Sequence, residues 1–244
     1  MEAKEKSIIA KIKKNIAPII FVIIIAILLF IGIVPDELRE MAPPIDFETV
    51  NFGEHSWLVL ERQEDRMLLL SEYILFEMAY SSRRNINTWE DSSLREYLNH
   101  DFFYAFTQEE RALIIPVING NPGNPRFNTY GGSDTEDLVF ILSLEEILKY
   151  FGNSGEMRSD LINDIYNERR RTRDLNGNLV RAWWVRTPGS ENRRAVFVSQ
   201  SGSGSSRGTL QVGGGQSTPM SPGTIVTSSD VGVRPAMWVA VDGF

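Results

Sequence analysis

Two histidines, no cysteine and a few clusters of carboxylates and arginines bound the chemistry open to this 244-residue chain. Gly204-Ser205-Ser206-Arg207-Gly208 spells the nucleophile elbow of a hydrolase. Such a serine needs a strained turn between a buried strand and a helix, whereas this one lies in a serine-glycine stretch with no helix after it. His55 and His100 fall in different elements, so a triad would need one of them beside an orienting carboxylate and a hydroxyl. Glu109-Glu110 and Glu145-Glu146 are adjacent pairs, and neighbouring helical side chains diverge by about 100°, so neither pair can bracket one glycosidic bond. No catalytic set emerges.

Binding chemistry has more candidates. Asp134, Glu136 and Asp137, in GGSDTED, are a dense group of carboxylates on a loop and the candidate metal ligands. Calcium is the cofactor they admit, and nothing else in the sequence supports it. Asp174, Asn176 and Asn178 alternate like the start of a calcium loop, but Val185 stands at the twelfth position, where a glutamate belongs. A tight Asn176-Gly177 turn is expected instead. The run NERRRTRD reads as a solvated helix or partly ordered excursion, with an anion site built from Arg169, Arg170, Arg171 and Arg173 as the alternative.

The stretch AWWVRTPGSENRRAVFV, 182–198, carries Trp183, Trp184, Arg186 and Arg194. With Arg234 and Trp238 of GVRPAMWV, these are the candidate ligand-binding residues. On a strand Trp183 and Trp184 face opposite ways, and Arg186 shares the face of Trp184. The segment reads first as sheet packing, and an exposed tryptophan flanked by Arg186 or Arg194 would make it part of a binding surface.

The elements that must position these residues begin with an apolar run. Residues 16–34 contain no charge and would reach about 28 Å as a helix, enough to span a bilayer. Five lysines precede the run and Asp36, Glu37 and Glu40 follow it, so the expected topology is a cytoplasmic basic segment 1–15, a transmembrane helix 16–34, a linker 35–46 and an extracellular domain 47–244. A cleaved signal peptide competes, but no small-x-small site follows the run. The lipid bilayer is thus an expected partner. Beyond Val34 the chain holds 20 basic and 30 acidic residues, a balance that disfavours nucleic acid. Without cysteine the domain has no disulfides, thiol catalysis or thiolate metal sites, and must stand on its own core.

From Val50 the pattern is β. WLVL and MLLL, separated by ERQEDR, read as a hairpin, and LVFIL as a short buried strand. Helices are expected over 91–106, capped by Asp91 or Ser92, and over 143–151, where Ser143 and Glu146 form a capping box. Further strands are expected in RAWWVRTP, RRAVFVSQ, TLQVGG, GTIVTSS and VRPAMWVAV, with serine-glycine loops between them. The sum is one compact α+β domain.

FGEHSWLVLE, MLLLSEYIL, NTWEDSSLREYLNHDFF, FNTYGGSDTEDLVFILSLEEILKYF, AWWVRTPG, RRAVFV and VGVRPAMWV resemble, in order, a bacterial extracellular module known as domain of unknown function 6273. The resemblance covers about residues 50 to 244, and the chain departs from that family's WWLRSPG at Val185 and Thr187. More remotely, it is similar to the C-type lectin-like fold and its formylglycine-generating-enzyme branch. That likeness implies a curved antiparallel sheet with two main helices and long loops, and the missing cysteines argue against that branch's oxidative chemistry.

The leading expectation is a membrane-anchored, outward-facing binding or interaction module of the bacterial cell envelope, with a glycan or an envelope protein as partner. An envelope enzyme acting on glycan or peptide, and a structural or assembly subunit of a membrane complex, are the alternatives.

Overall fold

A computed structural model describes residues 45–152, 161–162, 165–178, 182–199, 210–211 and 225–243. Met41–Phe244 group by contact as one compact unit, separate from Met1–Glu40.

The expected hairpin forms. β2 (His55–Arg62) and β3 (Arg66–Ser71) pair antiparallel, with the polar Gln63–Asp65 at the tip, and β1 (Thr49–Phe52) adds to the outer side of β2. β13 (Ala236–Ala240) lies on the other side of β3, and β5 (Ile114–Ile115) completes a sheet of order β1-β2-β3-β13-β5. A second sheet runs β4 (Phe76–Glu77), β12 (Gly232–Val233), β9 (Ala182–Pro188), β10 (Ala195–Ser199), β11 (Leu210–Gln211) and β8 (Leu161–Ile162). β6 (Val117–Asn119) and β7 (Thr135–Asp137) make a small two-stranded ribbon.

The chain passes from the second sheet to the first at Arg234-Pro235, between β12 and β13. Proline cannot donate to a ladder, so the apolar run VRPAMWVAV splits into two short strands there. Gly232 is required on the approach: a Cβ would lie 2.7 Å from the Ile74 side chain and 3.0 Å from the Ala182 carbonyl.

Among the described residues the three α-helices are short. α1 (Ser93–Tyr97) starts at Ser92, whose hydroxyl accepts from the Arg95 N–H at 3.1 Å, and it runs into a π-helical turn, Leu98–Phe102. α2 (Gln108–Leu113) has a Thr107–Glu110 capping box. α3 (Leu144–Phe151) has the box read from the sequence, with Ser143 and Glu146 exchanging both hydrogen bonds, and Thr187 Oγ1 accepts from the Leu144 N–H at 2.9 Å. Leu144, Ile147 and Phe151 face the core, as their spacing requires.

These findings correct the expected fold class. The described residues are mostly β-sheet with few helices, not an α+β arrangement built on two main helices. The 138–142 run, expected as a strand, is buried but irregular, held to β13 by the isolated Phe140–Ala236 bridge. The membrane expectation is corrected as well: no helix among the described residues is long and apolar enough to cross a membrane. Among the described residues the longest α-helix has eight residues, or about 12 Å, against about 30 Å of hydrocarbon. The span assigned to 16–34, the basic segment 1–15 and most of the linker 35–46 lie outside the described residues, as does the Gly204–Gly208 sequence. A single-pass, membrane-anchored placement is therefore not part of what the structure supports.

Candidate functional site

β9 is buried along its entire length, because it sits inside the six-stranded sheet with side chains packed on both faces. Trp183 and Trp184 do point opposite ways, but both faces are covered. Trp184 donates its indole N–H to the Met78 carbonyl at 2.8 Å and meets the Tyr80 ring edge-on at 5.7 Å. Trp183 donates to the Arg170 carbonyl at 3.2 Å and lies under the Arg234 guanidinium, 5.0 Å from its ring centre. Neither tryptophan is a surface platform.

The other candidates divide sharply. Arg186 is buried and fully engaged: it donates to Asn121 Oδ1, to the Ile141 and Gly120 carbonyls and to the Glu146 carboxylate. Arg194 pairs with Glu191 at 2.6 Å beside the β9–β10 turn. Trp238 is half-buried on β13, with Arg66 stacked 4.6 Å over its ring.

The carboxylates Asp134, Glu136 and Asp137 are not brought together. Strand alternation in β7 buries Asp137 and exposes Glu136, while Asp134 Oδ1 accepts from the Asn121 N–H. Asp137 accepts from Trp89 Nε1 (2.9 Å), Arg95 Nε (2.6 Å), Asn119 Nδ2 (2.9 Å) and Thr135 Oγ1 (2.7 Å). Its lone pairs are taken up by the protein's own donors, which is a packing role. Among the described residues no group of three or more His, Asp or Glu is placed to hold a metal ion. Asp174 instead accepts from the Asn176 and Asn178 N–H groups around a turn with Gly177 at φ +79°, as the sequence implied.

His100 is exposed and meets only the neighbouring Asp101 carboxylate, at 3.3 Å, and the Tyr104 ring. His55 lies in a small cavity of about 140 Å³ with Phe102, Phe106, Thr107 and Glu110, and stacks against Phe102. Burial lowers its pKa, with the Glu54 charge acting in the opposite direction. Thr107 and Glu110 are occupied by their mutual capping box, so the two side chains beside His55 serve the helix start.

A further cavity lies at the sheet-to-sheet crossing. A cavity of about 680 Å³ opens around Arg234, within the size range of small-molecule sites. Arg234 is 2% exposed and stands between the rings of Trp183 and Phe151. Its Nε and Nη2 donate to the Ser71 carbonyl at 3.1 and 2.8 Å, and Nη2 also reaches the Glu72 carbonyl at 3.3 Å. Its Nη1 is buried with no hydrogen-bond partner. Burial pulls this guanidinium well below its ordinary value, to about 9, with the Glu72 charge raising it, so it remains cationic at neutral pH.

The rest of the wall comes from the arginine run. Arg169, Arg171 and Arg173 line the cavity, whereas Arg170 turns into the core, donating to Asn167 Oδ1 at 2.8 Å. The segment is pinned by Ile74 N–H to the Arg173 carbonyl (2.8 Å) and by Thr172 Oγ1 to the Glu72 carbonyl (2.6 Å). Arg171 pairs with Glu168, leaving its buried Nε without a partner. Four guanidinium groups therefore face the cavity against the carboxylates of Asp46, Glu72 and Glu168, with Ile45, Phe47, Leu58 and Phe151 forming an apolar side.

Sequence reasoning singled out Arg234 and, separately, the arginine run. It missed that the fold joins them. The usable signal was an arginine standing beside a proline inside an otherwise apolar run, where the chain on both sides enters the core and carries the charge in with it.

A two-sheet domain with an arginine-walled cavity at the crossing is the class of structure that these residues define. A family model described as a domain of unknown function (DUF6273) matches residues 64–241, and the chain belongs to that family. No curated protein and no solved structure matches it, so the expected C-type lectin-like likeness finds no support.

Proposed function

We propose that the domain is a binding module that takes a small ligand into the cavity at Arg234. The observation that carries this reading is the cavity of about 680 Å³ itself, lined by Arg169, Arg171, Arg173 and Arg234 together with the apolar Ile45, Phe47, Leu58 and Phe151. Binding rather than chemistry is favoured because guanidinium groups hold and orient anions but do not exchange protons near neutral pH. The site differs from the aromatic surface expected from sequence, whose two adjacent tryptophans are committed to the core.

The test is to soak crystals of the full chain with a panel of small carboxylates, phosphates and neutral aromatics. Bound fragments are expected in the Arg234 cavity. Fragments that collect elsewhere and leave this cavity empty would contradict the reading.

A further inference from the structure

A second cavity, of about 390 Å³, lies between the loop over 85–91, the end of the loop at Tyr130 and the β9–β10 turn, and shares no lining residue with the first. Its volume falls in the range of small-molecule sites. Its chemistry comes from Asn85, Asn87, Glu90, Asp91, Tyr130 and Asn192, and among the described residues no lysine or arginine lines it. Two carboxylates without a cation repel an anionic ligand.

The hydrogen-bonding groups of this cleft are set rather than spent. Asn87 is 7% exposed, and its Nδ2 donates to the Glu191 and Arg194 carbonyls at 2.9 and 3.0 Å. Both amide hydrogens are thereby committed, and among the described residues nothing donates to its Oδ1. Arg95 meets Glu90 only at the backbone carbonyl, at 3.4 Å, so the carboxylate has no ion pair among the described residues. Asp91 accepts from the Thr88 hydroxyl at 3.2 Å. These acceptors need donors, while the Asn85 and Asn192 amides offer donors of their own, so a matching ligand must do both.

The aromatic member is held in place by the backbone. Tyr130 is 71% exposed, yet its loop closes tightly on itself. A Cβ at Gly123 would lie 1.8 Å from the Thr129 carbonyl oxygen, and one at Gly131 would lie 2.0 Å from that of Asn121. Asn124, fully buried, fastens the same loop by donating its Nδ2 to the Pro188 carbonyl at 2.9 Å. A ring displayed on so closed a loop is ordered before any ligand arrives, which lowers the cost of binding.

We infer that this cleft is a second ligand site and that it takes a neutral saccharide. Each sugar hydroxyl both donates and accepts, so it can give to Glu90, Asp91 and Asn87 Oδ1 and take from Asn85 and Asn192. The C–H face of the sugar ring, slightly positive, lies against the negative face of the Tyr130 ring. An ammonium group donates only and leaves the two amides unmatched, and a carboxylate or phosphate meets Glu90 and Asp91. The inference stands apart from the Arg234 cavity and does not depend on it.

Ligand-observed NMR titration of the full chain with maltotriose, cellotriose, mannotriose and chitotriose, with trigalacturonate and butylammonium as charged controls, tests this. At least one neutral trisaccharide is expected to bind saturably, and neither charged control to match it. Tyr130→Ala should weaken that binding at least about tenfold, the loss of one aromatic anchor, and leave the unfolding temperature of the domain unchanged. Glu90→Gln should weaken it several-fold. Tyr104→Ala, which removes a ring that is 60% exposed but lies outside the cleft, should leave binding as in the parent chain. Trigalacturonate binding as tightly as the neutral sugars would overturn the neutral class, and butylammonium binding in their place would make the cleft a cation site. Binding that survives Tyr130→Ala, or that falls equally with Tyr104→Ala, would put the sugar elsewhere. No saturable binding of any neutral trisaccharide would overturn the inference outright.

Discussion

Arg186 and Arg234 are both almost completely buried, at 4% and 2% exposure, yet they are held in opposite ways. Arg186 meets four separate acceptors, one of them the carboxylate of Glu146, so its charge is balanced and its N–H groups point at protein. Arg234 meets two backbone carbonyls, has no ion pair within its hydrogen bonds, keeps Nη1 buried without a partner, and belongs to the lining of a cavity. The same side chain is a fastening in one place and, on the binding reading proposed above, part of a ligand site in the other. Burial does not separate the two roles; the number of donors left over does.

Arg186→Met should produce the largest effect. It strands the Glu146 carboxylate, which also closes the α3 capping box, together with the Ile141 and Gly120 carbonyls. Breaking a buried pair in this way costs about 3–5 kcal/mol, and the partial exposure of Glu146 places the expected loss near the lower end. Urea denaturation reads it directly, and a loss below about 1 kcal/mol would remove the fastening role.

Asp137→Asn extends the same side of the comparison to an anion. Asp137 is the acceptor for Trp89, Arg95, Asn119 and Thr135, so the amide must turn a donor towards other donors. A destabilisation of about 2 kcal/mol is expected by equilibrium unfolding.

Arg234→Met should cost less than Arg186→Met although Arg234 is the more buried. Losing the bonds to Ser71 and Glu72 is offset by relief from a buried, unpaired charge, and the methionine stem can still pack between Trp183 and Phe151. A net change of about 1 kcal/mol or less in either direction is expected from parallel urea titrations. A loss as large as that of Arg186→Met would erase the distinction.

The smallest effect belongs to a surface cluster. Glu61 accepts from Lys149 Nζ and from Tyr150 Oη, each at 2.6 Å, and these bonds hold its carboxyl down from an ordinary 4.5 to about 2. Because the folded pKa is the lower one, this contribution is present above pH 4.5 and is lost as pH falls towards 2. Glu61→Gln should cost less than about 1 kcal/mol at pH 7, as exposed pairs do, and the gap to the parent chain should close in acid.

Much of the architecture was legible where the signal was local. Ser143 and Glu146 announced α3, the ERQEDR interval announced the β2–β3 hairpin, and RAWWVRTP announced β9. Signals failed where tertiary context decided. The 138–142 run is apolar enough for a strand, but its backbone serves loops and the β13 bridge. The helix expected over 91–106 is present over 93–104, but it widens into a π-helical turn at Leu98–Phe102, which no local sequence signal announces. Period-two reasoning placed the two tryptophans on opposite faces correctly, but it could not tell that both faces are covered. The candidate site was legible residue by residue and not as a set, since Arg234 and Arg171 are 63 positions apart in sequence and meet one cavity only through the fold.

The most direct measurement follows the arginine side chains themselves. With ¹⁵N-labelled arginine in the full chain, titration with the small carboxylates of the fragment panel should shift the Arg234 guanidinium signal while leaving that of Arg186 unmoved. A response at Arg186, or an Arg234 signal indifferent to every carboxylate at saturation, would contradict the division between a fastening and a ligand site.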